Sequence, residues 1–203
     1  MEGEVKVSKR SAILCAATTA FATRGFRETS TTELAQMTGV AESTVFYHFG
    51  NKEKLFLAVL DHVRREFQRE FSEYLETARP LSGLTMLEEA AGFYLRLAAE
   101  KEELFLLLHR SDAYELARVN EQCRKELEAI FDCLVGVFEG ALVKGQEDGS
   151  IEPMATRTMA LLVFTMVDGL VRLRDCSLYE AGAVFPELMN ACRKLVARTS
   201  PVE

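Results

Sequence analysis

The sequence predicts an all-α protein of about nine helices, and three observations carry that expectation. Apolar residues recur at three- and four-residue spacing through most of the 203 positions, and no segment shows the alternation of a half-buried strand. Gly, Asn and Ser/Thr fall at the ends of these periodic segments, where helices start and stop. Finally, two short periodic segments lie back to back at Thr29–Phe49 and read as two short helices joined by a tight turn.

Taken in order, Ile13, Leu14, Ala17, Ala20 and Phe21 form one stripe from about Ser8 to Arg24, with Gly25 closing the helix. Residues 1–8 read as a polar arm carrying Lys6, with Lys9 and Arg10 opening the helix. Ser30 is a good N-cap, and Glu33 completes a Ser-x-x-Glu capping box. Leu34 and Ala35 give the short helix its inner face, Gly39 stops it in the left-handed conformation, and Val40 is the expected plug of the turn. From Glu42 a second short helix puts Val45 and Phe49 inside, and Ser43 and Tyr47 outside. Small polar groups and an aromatic ring on a short exposed helix suit insertion into a DNA major groove.

Asn51 caps a long fourth helix whose stripe, Leu55, Val59, Val63, Phe67 and Phe71, reaches about Ala78. Arg79-Pro80-Leu81-Ser82-Gly83 is a linker. Helices follow at about 84–100 and 103–110, the second apolar all round and so expected to be buried. One long helix is expected from about Asp112 to Lys144-Gly145, and a turn at Glu147-Asp148-Gly149-Ser150. Pro153 suits the first turn of the next helix, which runs to about Asp175. A last helix covers about 178–198, with Pro186 inside it.

Composition narrows the function. Apolar content of 48% with 27% charge is that of an ordinary globular chain, and no apolar run is long enough to span a membrane. The polar N-terminus lacks the apolar core of a secretory signal. Cys15, Cys123, Cys133, Cys176 and Cys192 are scattered without a Cys-x-x-Cys pair, which fits reduced thiols in a cytoplasmic protein. The net charge of −7 is uneven: residues 1–54 sum to +1 and residues 55–203 to −8. His48, His62 and His109 form no zinc-type cluster, and no phosphate-cradling glycine loop or nucleophile elbow is present, so neither an enzyme nor a cofactor is expected. His109 and Asp112, three apart, could pair.

The pattern Phe21-Ala-Thr-Arg-Gly25-Phe26, Leu34-Ala35, Gly39-Val40, Tyr47-His48-Phe49 and Lys52-Glu-Lys-Leu-Phe56 resembles the DNA-binding signature of TetR-type transcriptional regulators. The resemblance covers about the first 56 residues. It implies a helix-turn-helix domain over residues 1–54 and a ligand-binding and dimerisation domain over 55–203. By position it assigns Glu42, Ser43 and Thr44 to base edges, Tyr47 and His48 to phosphate or nearby bases, and Lys52 to phosphate. Ser30 and Thr31 offer hydroxyls to phosphate. Phe46 stands where the family often has tyrosine, and Ala41 where it has a Ser or Thr cap.

Two further surfaces come from the C-terminal part. Phe67, Phe71, Phe93, Phe105, Phe131 and Phe164, with His109, Tyr114, Thr165 and Asp168, form a candidate apolar interior. A simple core explains them, and the resemblance adds an inducer pocket for a small apolar or amphipathic effector. Leu162, Met166, Leu170 and Leu173, then Leu188, Cys192 and Leu195, exceed what one domain need bury. Here the resemblance implies a four-helix homodimer interface, and hence a pseudo-palindromic double-stranded operator. The expected protein is a repressor released by its ligand. Two alternatives stay open at this point. One is a DNA-binding dimer controlled by a protein partner or cysteine oxidation. The other is an all-α carrier or enzyme with a vestigial helix-turn-helix.

Overall fold

In a computed structural model the described residues are 8–77, 82–176 and 181–197. They form ten helices: α1 Lys9–Thr23, α2 Thr31–Thr38, α3 Glu42–Phe49, α4 Lys52–Thr77, α5 Gly83–Glu100, α6 Glu102–His109, α7 Ser111–Ala117, α8 Glu121–Asp148, α9 Thr156–Asp175 and α10 Ala181–Val196. No strand forms among the described residues, and a single antiparallel bridge joins Ile151 and Ala197. The all-α expectation holds. The Lys6 arm and most of the Arg79–Gly83 linker lie outside the described residues.

Three local expectations need correction. The helix expected from Asp112 to Gly145 is two, because α7 stops at Ala117 and Asn120 caps the start of α8, its Oδ1 accepting from Cys123 N at 3.0 Å. Apolar spacing continues across the break, so periodicity alone hides it. Pro153 precedes α9 and does not sit in its first turn, since α9 begins at Thr156. There Gln146 Nε2 donates to Met154 O at 2.9 Å and holds the approach to the helix. Val40 is only half-buried.

The chain folds as two compact units. One falls within Met1–Glu66 and Lys101–Ala129, the other within Phe67–Glu100 and Ile130–Glu203. The helix-turn-helix motif ends near residue 54, but the unit containing it also takes the first half of α4, all of α6 and α7, and the start of α8.

In the first unit α1 packs on α2, α3 and α6. Its core is Ile13, Ala17, Phe21, Leu34, Val45, Leu55, Phe56 and Val59. Phe21, Phe26 and Phe56 form a ring cluster with centroids 5.0–5.8 Å apart. Arg64 joins α4 to α8, its Nε donating to Glu126 at 3.1 Å and its Nη2 to Asp61 at 2.5 Å. These partners keep the guanidinium charged and raise its pKa, with the Glu126 hydrogen bond the largest cause.

In the second unit α9 packs on α5 and α10. The start of α5 lies against α8 so closely that a Cβ on Gly83 would fall 2.0 Å from Gly145 N. Asp148 Oδ2 and Ser150 Oγ accept from Gly83 N and Leu84 N at 2.8 and 3.2 Å, capping α5 from the end of α8. The Asp148 carboxyl is held below its usual range, first by the Ser150 side chain and then by the Gly83 amide.

Candidate nucleic-acid interface

The exposed face of α3 is set by how α2 and α3 are closed. Ser30 Oγ accepts from Glu33 N at 3.2 Å, and Glu33 Oε2 accepts from Ser30 N at 3.0 Å, the reciprocal capping box expected from the sequence. That backbone bond from Ser30, followed by the Ser30 hydroxyl, lowers the Glu33 pKa. Gly39 ends α2 at φ 65°, where other residues are strained. Val45 and Phe49 are buried, and α3 has nowhere to turn but outward with its other face.

On that face Tyr47 is 84% exposed and Phe46 about half that, with Ser43 exposed and Thr44 and His48 partly so. A phenol left this open on a short helix gains nothing from the fold. Tyr47 and His48 rings meet edge to face at 5.2 Å. Ala41 provides no side-chain cap, as its identity dictates.

Several predicted contacts already have internal partners. Lys52 Nζ lies 3.4 Å from Arg27 O and 4.6 Å from the Phe26 ring centroid, so it closes the α1–α2 turn. Ser30 spends its hydroxyl on the cap. Thr31 Oγ1 and Thr32 Oγ1 both donate to Glu42 Oε1, at 2.7 and 2.9 Å. These two bonds, Thr31 first, pull the Glu42 pKa down and keep it ionised.

One structural clamp was not foreseen. Arg110 Nη1 and Nη2 donate to Thr23 O and Arg24 O at 3.3 and 2.9 Å, covering the open carbonyls at the end of α1. Its Nε donates to Asp112 Oδ2 at 3.1 Å, so Asp112 pairs with Arg110 and not with His109. Gly25, at φ 99°, leaves room for both: a Cβ there would lie 2.4 Å from Asp112 Oδ2. The nearest sequence signal is Arg110-Ser-Asp112, a common surface pattern, and the α1 partners lie more than 80 residues away.

The candidate effector residues divide between the units. Phe105, His109 and Tyr114 belong to the first, where Phe105 is buried and Tyr114 Oη donates to Leu108 O at 2.6 Å. Phe67, Phe71, Phe93, Phe131, Phe164 and Asp168 belong to the second. Asp168, only 8% exposed, accepts from Tyr94 Oη at 2.9 Å and from Arg172 Nε at 3.0 Å. Tyr94, fully buried, was missing from the sequence expectation. Thr165 is exposed, its hydroxyl bonded to Leu161 O of its own helix, so it lines no interior. The second unit does have a cleft of about 370 Å³ among α4, α5 and α8, bounded by Gln68, Phe71, Ser72, Leu75, Met86 and Val137, with Cys133 among its other lining residues. Of the predicted set it takes only Phe71.

The predicted interface residues are divided too. Leu162 and Leu195 are each 52% exposed, and Met166, Leu173 and Leu188 are partly so. Leu170 and Cys192 are instead buried within the protomer. Leu161 and Val184 are exposed on the same two helices.

Among the described residues no group of His, Cys, Asp or Glu could hold a metal ion, and no helix is long and apolar enough to cross a membrane.

A capped helix pair presenting an aromatic and small polar face defines a helix-turn-helix transcriptional regulator. The family model described as "Bacterial regulatory proteins, tetR family" matches residues 13–59, which include the helix pair. The chain is 28% identical over 170 residues to the HTH-type transcriptional regulator TtgR of Pseudomonas putida, covering 80% of this chain and 78% of TtgR. Its fold is shared by a transcriptional regulator from Saccharomonospora viridis solved with choline (TM-score 0.77, 19% identity, 94% of this chain and 98% of that one). It is also shared by FadR from Bacillus subtilis solved with stearoyl-CoA (TM-score 0.69, 20% identity, 89% and 96%).

Proposed function

We propose that this regulator is a cytoplasmic homodimeric repressor that leaves a pseudo-palindromic operator when a small amphipathic molecule enters its second unit. The open face of α3 around Tyr47 carries the reading: packing cannot explain its exposure, and a major groove can use it. Support for the effector comes from the α4–α5–α8 cleft, whose apolar wall of Phe71, Leu75, Met86 and Val137 is bordered by Gln68 and Ser72. The Leu161, Leu162, Val184 and Leu195 surface of α9 and α10 supports a second copy of the chain. α4 starts at Lys52, beside α3, and carries Gln68 to Leu75 of the cleft in the same 26-residue helix. A ligand that displaces the cleft end of α4 would alter the spacing of paired recognition helices, and half-sites tolerate one spacing.

Capture of bound genomic fragments, repeated with a metabolite extract, tests the proposal. Tyr47→Ala is expected to weaken binding to any captured operator by about 1–3 kcal/mol while melting with the parent. An early-melting variant that still binds once folded would show Tyr47 to be a packing residue.

A further inference from the structure

The restraint on Glu42 goes further than the DNA-binding reading on which it rests. Both hydrogen bonds given to this carboxylate fall on one oxygen, Oε1, from Thr31 and Thr32. Among the described residues nothing donates to Oε2, and no cation pairs with the side chain. Glu42 is the first residue of α3, on the same helix as the exposed Ser43, Phe46 and Tyr47.

Three consequences follow from elementary hydrogen-bond chemistry. A hydroxyl has one proton, so Thr31 and Thr32 cannot donate to phosphate while they hold Glu42. The ionised carboxylate is an acceptor only, which sets it against the phosphate backbone and against every base edge that also accepts. Its free oxygen is nevertheless aimed, because the other is fixed by two bonds. A negative charge without a cation on the DNA-facing side weakens binding everywhere except opposite a donor.

We infer that Glu42 is a specificity residue, held by the Thr31–Thr32 pair, that reads the exocyclic amino group of one cytosine in each operator half-site. Cytosine offers N4–H₂ with no acceptor on its own major-groove edge. Adenine sets its amino group beside the N7 acceptor, while guanine and thymine present O6/N7 and O4 to the carboxylate. The pairing is thus as much exclusion of guanine and thymine as attraction to cytosine.

The test is selection from a randomised duplex library by the full-length parent, by Glu42→Gln and by Thr31→Val/Thr32→Val. Gln keeps the shape and can still accept from both threonines, but it replaces a charge with an amide. The parent should enrich a cytosine at one symmetric position per half-site. Glu42→Gln should lose about tenfold of that discrimination, at that position alone, and gain general affinity. The threonine pair variant, with Glu42 present but unheld, should blur the same position. Circular dichroism confirms that each variant is folded. If the parent enriches no duplex, the DNA-binding reading falls and takes this inference with it. If the parent enriches a site that Glu42→Gln reads identically, DNA binding stands and the role of Glu42 is overturned. Should Glu42→Gln unfold, Glu42→Asp, which keeps the charge but shortens the reach, must shift or lose the same cytosine for the inference to survive.

Discussion

Replacing Gly83 with alanine adds one methyl group at a point where two backbones touch. The new Cβ would lie 2.0 Å from Gly145 N, 2.2 Å from Gly145 Cα and 2.6 Å from Ala141 O. Ordinary contact begins near 3.4 Å, so the start of α5 and this turn of α8 must part by more than 1 Å. All three obstacles are main chain, and no side chain can rotate aside. Overpacking costs about 1–3 kcal/mol when side chains can adjust, so this site belongs at the top of that range. Parting the helices also loosens the Asp148 and Ser150 caps on Gly83 N and Leu84 N. Gly140, on the same helix α8, has nothing within 4 Å of its Cβ position. Alanine there relieves the glycine penalty in mid-helix and should stabilise by about 0.5–1 kcal/mol. For a chain of this size about 1 kcal/mol shifts Tm by roughly 2–4 °C. Thermal and urea melts of the two variants should therefore move in opposite directions. Equal or higher stability of Gly83→Ala would refute the close approach of α5 and α8.

Other outcomes are as definite. Leu162→Glu, on an exposed site of α9, should leave the protomer folded yet yield monomers in sedimentation, and a stable dimer would place the interface elsewhere. Burial, then Glu126 and Glu53, push the Cys123 thiol up to about 11 from an unfolded value near 9.0. Stability held below pH 9 should accordingly fall as pH rises toward 11, and Cys123→Ala should flatten part of that fall in pH-dependent melts. The protonated, enclosed thiol also makes Cys123 a poor oxidation sensor, so thiol reagents should spare it at pH 7 in the native protein. Operator affinity should depend weakly on salt, with a slope well short of the value near ten typical of heavily basic repressors. A steep slope in a titration of potassium chloride would contradict this.

The elements legible in the sequence are those fixed by neighbours along the chain. Ser30 with Glu33, Gly39, Asn51 before Lys54, and the inward pair Val45 and Phe49 each depend on residues within four positions, and all took the expected form. What escaped depends on partners far away. Arg110 meets carbonyls 86 and 87 residues distant, and Tyr94 meets Asp168 across 74. Neither pairing leaves a periodic trace. Helix phase in α9 is hard to read from spacing because apolar residues occur on most of its faces. With so many, spacing cannot tell Leu170, which packs inward, from Leu162, which does not. For the same reason a list of phenylalanines was a poor guide to the cleft, where small residues such as Gly136 and Gly140 create the space.

The weak charge of the N-terminal region acquires a meaning once its partners are known. Arg24 is matched by Glu33 at 3.1 Å and Arg27 by Glu115 at 2.6 Å, so each of these cations is cancelled locally. Arg10 lies over the Phe49 ring and Lys52 over Phe26, where they brace the motif from both ends. The cations of this unit thus serve first to hold α1, α2 and α3 in place, and few are left to bind phosphate without regard to sequence. A regulator built this way gains little from nonspecific attraction and must draw its operator preference from base contacts. The ionised Glu42 at the head of α3, bonded only to Thr31 and Thr32 among the described residues, would fit that pattern as the cytosine reader proposed above, weakening binding except where a base offers a proton.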